Sequence, residues 1–306
     1  MANQTARERI HLGASGLLVS PLGVGTNKWG SDGKPDPEMK AAFDAALVAG
    51  VNFFDTAEVY TNGGSERTLG LCLKTSPGDA VIATKFMPMP ARLRKSQLIG
   101  ALKGSLERLG LARVDLYMTH FPYPPIPIET WMDALADAVE AGLARAAGVS
   151  NYDENQMRLA HAALAQRGVK LASNQVDFSL LERGPEHGGL LAACRELNVA
   201  LVAYRPLASG LLGGKYTPEN PPTTGSRVTR FDRAYLEKIA PLIALLRNIG
   251  RDHGKTPSQV ALNWILVKGA LPIPGAKNAA QAEENAGALG WRLTDDEVEK
   301  LDDASK

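Results

Sequence analysis

The sequence predicts an α/β fold: a (β/α)8 barrel of the TIM type with an N-terminal β-hairpin and an extra C-terminal helix. Three observations predict it. Eight short apolar or β-branched runs recur along the 306 residues, most without polar alternation, as in parallel strands buried on both faces. Helical patterns with recognisable start signals separate them. A hydrophobic fraction of 44% with 22% charged residues supplies one large core, and no linker or composition shift divides the chain, so residues 1–306 read as a single domain.

The elements follow in order. RERIHLGASGLLVS (7–20) reads as a hairpin with glycine at its turn, placed to plug one barrel end. The strands are VSPLGVGT (19–26), VNFFD (51–55), AVIATK (80–85), VDLYMTH (114–120), ARAAGVS (144–150), ASNQVD (172–177), ALVAYRPL (200–207) and ALPIPG (270–275). Asp36 before Pro37 marks one helix start, and Asp153/Gln156, Thr256/Gln259 and Thr294/Glu297 have capping-box spacing. The Thr294 start opens the C-terminal helix. Leu98, Leu102, Leu106 and Leu109 form one apolar stripe for a helix to turn toward the sheet. Residues 208–230 are rich in Gly and Pro and read as a binding loop or lid.

Composition narrows the functions. A net charge of +1 without basic clusters speaks against nucleic acid and anionic membrane as partners. No window approaches the ~18 apolar residues of a membrane span, and the polar start MANQTARERI has no secretory h-region. Cys72 and Cys194 sit in helical patterns and read as reduced thiols. The expected location is the cytoplasm.

In such barrels the chemistry gathers at the C-terminal ends of the strands. Strand two ends at Asp55 with Tyr60 just beyond, strand three at Lys85, strand four at His120; Ser150-Asn151, Gln175 and Tyr204 close strands five to seven. A carboxylate, a phenol, an ammonium and an imidazole at one mouth suit proton transfer to a carbonyl oxygen. A free tyrosine, with a pKa of about 10, is a slow donor near neutrality. Lys85 is expected to lower that value while Asp55 holds Lys85, and a neutral His120 would orient the carbonyl. Protonation alone reduces nothing, so a hydride source is required, which implies nicotinamide.

The familiar nucleotide signatures fail. GVGTNKWG has Lys28 where the last glycine of G-x-G-x-x-G belongs, and SGLLGGKY has Ser209 where a Walker A loop has its first glycine and Tyr216 where it has serine or threonine. No tyrosine is followed four residues later by lysine, and no Cys/His cluster has metal-ligand spacing. Any dinucleotide here binds without a Rossmann fold.

With FDTAEVYTNGGSERTLG, VIATKF, DLYMTH, GVSN, NQVDFSLL, YRPLASGLLGGKY and PIPGAKN…QAEENAGA in this order, the chain resembles the aldo-keto reductases, nearest their bacterial and plant branch that includes the potassium-channel β subunits. The resemblance spans from about Gly23 to Leu289. The resemblance implies an NADPH-dependent reduction of aldehydes and ketones to alcohols, with Asp55, Tyr60, Lys85 and His120 as the catalytic tetrad and Tyr60 as general acid–base. Asn151 and Gln175 would hold the nicotinamide carboxamide, with Ser150 and Asp55 beside them and Tyr204 stacked on the ring. Gly25 and Thr26 would line it from strand one. Arg205, Pro206, Leu207, Ala208 and Gly210, with Lys215, would wrap the pyrophosphate; Gly275, Lys277, Gln281, Glu284 and Asn285 would surround the adenosine end. Lys277, beside a glycine turn and a helix start, favours a 2′-phosphate and hence NADP(H). Two departures stand out: Arg205 where the family usually has serine, and Phe121 for a frequent tryptophan.

Trp29, Phe86 and Phe121, with Met87, Met89 and Tyr123 nearby, are expected to form an apolar substrate pocket suited to aromatic or medium-chain aldehydes. Two other classes compete: a lyase using Lys85 as a Schiff base, and an NADP(H)-binding sensing subunit with slow turnover. An oligomer is compatible with the resemblance, and no surface pattern indicates one.

Overall fold

The structure is a computed structural model and describes residues 8–30, 37–76, 78–223 and 231–306. Among these residues eight strands form one parallel sheet in chain order: β3 (Gly23–Gly25), β4 (Phe53–Asp55), β5 (Val81–Phe86), β6 (Val114–Thr119), β7 (Ala144–Ser150), β8 (Leu171–Asp177), β9 (Ala200–Tyr204) and β10 (Leu271–Pro272). Helices follow the strands, as the sequence predicts. The barrel closes where Gly25 bridges Gly275 in parallel and its N–H donates to Pro274 O at 3.0 Å. Glycine matters at that seam, because a Cβ on Gly25 would sit 3.0 Å from Ile273 O.

The expected first strand divides in two. Leu18–Val19 (β2) pairs antiparallel with Ile10–His11 (β1) as the N-terminal hairpin, and only Gly23–Gly25 enters the barrel. The hairpin plugs the end opposite the candidate site. Gly13, at φ +53, presses its backbone so close to Ala172 O and Asn198 O that no side chain fits.

Period-two geometry organises the core. Phe53, Val81, Ala83, Leu116, Met118, Val202 and Ile273 pack inside the barrel with Leu12 and Leu17 of the hairpin. The outward-facing residues of these strands, Phe54, Ile82, Phe86 and Tyr117, pack against the surrounding helices. Continuing the inward parity by two residues reaches Asp55 from Phe53, Lys85 from Ala83, His120 from Met118 and Tyr204 from Val202. The polar groups therefore converge because they occupy inward positions just above the apolar plug.

The helix starts at Asp153, Thr256 and Thr294 are capping boxes, each side chain accepting from the backbone N–H three residues on. The last opens the C-terminal helix Asp295–Ala304. Leu98, Leu102, Leu106 and Leu109 of helix Lys95–Leu109 are all buried. Asp36 and residues 224–230 lie outside the described residues. The first part of the expected lid is tied down, since Leu211 and Leu212 are buried in the core.

Candidate active site

Asp55 and Lys85 form a buried ion pair, Nζ to Oδ1 at 2.6 Å. Lys85 also donates to Thr56 O at 2.9 Å and to Tyr60 OH at 3.4 Å, so its three protons have three acceptors. The second carboxylate oxygen of Asp55 accepts from Gln175 Nε2 at 2.8 Å. A buried ammonium survives only when paired and hydrogen-bonded in this way. Burial works to lower the Lys85 pKa, but Asp55 and Tyr60 more than offset it and hold the group above an ordinary lysine.

Tyr60 begins a 3-10 turn, Tyr60–Gly63, in which Thr61 and Asn62 take positive φ. Thr61 Oγ1 donates to Trp29 O at 2.8 Å and anchors that turn to the loop after β3. The expected lowering of the Tyr60 pKa is not found. Burial raises it, Lys85 lowers it, Asp55 raises it again, and the net direction is upward. Lys85 alone favours phenolate, but desolvating that charge costs more than one ammonium shared with a carboxylate returns.

His120 stands edge-on to Tyr60, ring centroids 5.7 Å apart at 79°. Its Nδ1 is buried with no hydrogen-bond partner among the described residues. Burial and the charge of Lys85 push its pKa down to about 3, so the ring is neutral at physiological pH.

Beside the tetrad, Ser150 Oγ donates to Gln175 O at 2.8 Å. Asn151, at φ +63, donates from Nδ2 to His120 O at 2.9 Å and to Ser150 Oγ at 3.1 Å, while its Oδ1 accepts from Tyr204 OH at 2.9 Å. Thr26 Oγ1 bonds Asp55 O at 2.8 Å, placing Gly25-Thr26 against the same strand end. After Tyr204 the backbone takes positive φ at Arg205, Ala208, Ser209 and Gly210, with Pro206 buried and Leu207 packed on the core. Arg205 pairs with Asp177 at 2.9 Å, so the unexpected arginine is engaged with the end of β8. Lys215 is exposed, its ammonium 5.7 Å from the Tyr216 ring.

Further round the mouth, Gly275 is exposed and Asn285 Nδ2 donates to its carbonyl at 3.3 Å. Asn278 caps helix Ala279–Ala286, accepting from Gln281 N, while Gln281 Oε1 accepts from Lys277 N at 2.9 Å. The exposed Glu284 accepts from Thr256 Oγ1 at 3.2 Å. A Cβ on Gly275 would meet only Gly25 O, at 3.7 Å, so the backbone is open to a ligand there. An exposed cation beside a capped helix start, an open glycine and a turn of left-handed residues form a donor set that fits an anionic dinucleotide.

Two of the three expected pocket aromatics are misplaced. Phe86 is 0% exposed and packs against Trp131 with Arg92 over its ring, on the outer side of the barrel. Parity could have shown this: if Lys85 points inward, its neighbour points out. Trp29 is 1% exposed, its indole N–H donating to Ala276 O at 2.7 Å, and offers a substrate no surface. Phe121 alone is exposed, at 39%, with its ring stacked on His120 at 5.1 Å. Sequence reasoning missed Thr56, Glu58 and Arg92. Thr56 and Glu58 lie within the FDTAEVY motif, where proximity to Asp55 and Tyr60 was the available signal.

A groove of about 590 Å³ lined by His11, Arg195 and Trp291 opens beside the hairpin, and no tetrad residue lines it. Among the described residues no His, Cys, Asp and Glu group is arranged to hold a metal ion, and no helix is long and apolar enough to cross a membrane.

A carboxylate, an ammonium, a phenol and an imidazole thus meet at one end of an eight-stranded parallel barrel, and comparison with known proteins gives the family. The profile of the aldo/keto reductase family matches residues 21–306. The chain is 41% identical to the chloroplastic pyridoxal reductase of Arabidopsis thaliana, covering 95% of this chain and 84% of that protein. It is 35% identical to an aldo-keto reductase of Strobilurus tenacellus, covering 92% and 87%. Among solved structures it resembles a thermostable aldo-keto reductase bound to the inhibitor epalrestat, with TM-score 0.77, 31% identity and coverage of 97% and 99%. It also resembles the glycerol dehydrogenase of Gluconobacter oxydans, with TM-score 0.86, 27% identity and coverage of 98% and 95%. The chain belongs to the aldo-keto reductase family, and is thereby an NAD(P)H-dependent oxidoreductase.

Proposed function

We propose that this protein reduces aldehydes and ketones to alcohols with NADPH, using Tyr60 as the general acid. The observation that carries the reading is the donation of Lys85 to both Asp55 and Tyr60 inside the barrel mouth. The nicotinamide cofactor, when bound, supplies the hydride to the carbonyl carbon. Tyr60 gives its proton to the carbonyl oxygen, and Lys85 stabilises the phenolate until water reprotonates it. Neutral His120 donates one N–H to the same oxygen and fixes its direction. Asn151, Gln175 and Ser150 would hold the carboxamide, Arg205 to Gly210 with Lys215 the pyrophosphate, and Lys277 with the Gly275 turn the adenosine end. Lys277 supports NADP(H) over NAD(H).

The exposed Phe121 beside His120 supports aromatic aldehydes as the substrate class. Pyridoxal, the substrate in the name of the Arabidopsis relative, belongs to that class. A protonated, fully engaged Lys85 is no nucleophile, which weighs against the Schiff-base lyase. Two free, buried cysteines support the cytoplasm as compartment, and a net charge of +1 supports a small carbonyl substrate, not nucleic acid or membrane, as partner. The chain is proposed to act as one domain.

The test is NADPH consumption with 4-nitrobenzaldehyde and with pyridoxal, comparing wild type with Tyr60→Phe. Turnover is expected to fall about 10²–10⁴-fold in the variant while NADPH affinity stays near wild type. NADPH binding without turnover in the wild type would instead favour the sensing subunit.

A further inference from the structure

We propose that Glu58 and Arg92 are a positioning pair that locks the Tyr60 loop to the Lys85 strand and so sets the distance between the acid and its ammonium partner. The proposal rests on Tyr60 acting as general acid.

Ladder pairing between β4 and β5 ends at Asp55 and Ala83. Beyond that point, Thr56 N–H donates to Ala83 O at 2.9 Å and Glu58 N–H to Lys85 O at 3.4 Å. The Glu58 carboxylate then reaches over the strand end and accepts from Met87 N–H at 2.8 Å. One residue, two positions before Tyr60, thus grips the main chain on both sides of Phe86.

Arg92 holds that carboxylate from the far side. Its two terminal nitrogens meet Oε1 at 2.8 Å and Oε2 at 3.0 Å. The guanidinium lies 4.6 Å over the Phe86 ring, and Arg92 N–H donates to Met89 O at 2.7 Å, folding the loop after β5 back onto Glu58. The side chains are only 11% and 24% exposed. A shielded, bidentate, charge-assisted pair is the form that fixes geometry, and lysine cannot reproduce it. The contact it governs is long: Lys85 Nζ stands 3.4 Å from Tyr60 OH. At that separation a small shift of the Tyr60 loop changes how strongly the ammonium acts on the phenol.

The experiment compares wild type with Glu58→Gln, Arg92→Met, Arg92→Lys and the Glu58→Gln/Arg92→Met double variant, reading kcat, KM and the pH dependence of kcat with 4-nitrobenzaldehyde. Amide hydrogen exchange of the substrate-free protein is read in parallel. For Glu58→Gln and Arg92→Met, kcat is expected to fall about 10- to 100-fold with KM near wild type. The alkaline limb should move to higher pH as Lys85 loses its hold on Tyr60. Arg92→Lys should recover only part of the loss, and the double variant should be no worse than either single one, because the two residues act as a unit. Exchange should quicken at the Tyr60 amide as well as at Met87. Variants that melt earlier yet keep the wild-type kcat and pH profile would overturn the proposal. So would exchange that quickens only at residues 87–92 while Tyr60 stays protected. If wild type reduces no carbonyl, the reductase reading fails by itself, and exchange still decides whether the pair locks the loop.

Discussion

Gln175 donates from Nε2 to Oδ2 of Asp55 at 2.8 Å, on the carboxylate oxygen that Lys85 leaves open. A side chain from the sixth barrel strand thus fixes the orientation of a carboxylate on the second, and through it the ammonium beside Tyr60. Gln175→Leu leaves a buried carboxylate oxygen without its donor. It should cost about 1–3 kcal/mol of stability by urea unfolding and lower kcat in the NADPH assay. Unchanged stability would mean that Asp55 finds another donor.

Tyr60 should impose opposite pH dependences on the two directions of catalysis. Reduction needs the phenol, and its pKa lies above the ordinary value of about 10. Reduction is therefore expected to stay level through neutral pH and to decline only in strong alkali. Alcohol oxidation needs the phenolate and should climb steadily with pH. Initial rates in both directions across the pH range check the sign.

His120 should make the protein sensitive to acid. Its folded pKa is about 3, against about 6.5 for an exposed histidine. Between those values the unfolded chain binds a proton that the folded ring refuses, so stability rises with pH through this window and is lost on acidification. From pH 7 to pH 5 wild type should lose about 2 kcal/mol more than His120→Gln. Urea titrations of both proteins at the two pH values give the comparison.

The aromatic residues near the mouth should separate cleanly. Phe86→Ala removes a fully buried ring from the outer core and should cost about 3–5 kcal/mol, with KM for aldehydes unchanged in the folded fraction. Phe121→Ala should leave stability within about 0.5 kcal/mol yet raise KM for aromatic aldehydes more than for small aliphatic ones. The reverse pattern would return Phe86 to the pocket.

Much of the molecule was legible in the chain because the relevant signals are local. Buried apolar runs, capping boxes and the stripe Leu98–Leu102–Leu106–Leu109 depend on residues within a few positions of one another, and all but the first run form the expected elements. The strand ends were legible for the same reason, since a polar residue after an apolar run marks the place where a barrel strand leaves the core. Misreadings arose where one position decides between two faces. Val19, which the sequence places in both the hairpin and the first barrel strand, pairs only with Ile10 in the hairpin. Phe86, which the sequence places in the pocket, faces outward because Lys85 beside it occupies the inner face.

The sequence by itself determined the barrel, the order of its strands and the convergence of Asp55, Tyr60, Lys85 and His120, because strand periodicity and strand ends are written in adjacent residues. Only the tertiary structure decided that Gln175 holds Asp55, that Arg205 pairs with Asp177, that Glu58 and Arg92 clasp the loops, and that burial raises the Tyr60 pKa. Each of these depends on groups brought together by closure of the barrel, or on water excluded by many residues at once. Pair distances and desolvation are properties of the packed molecule, and no local stretch of chain encodes them.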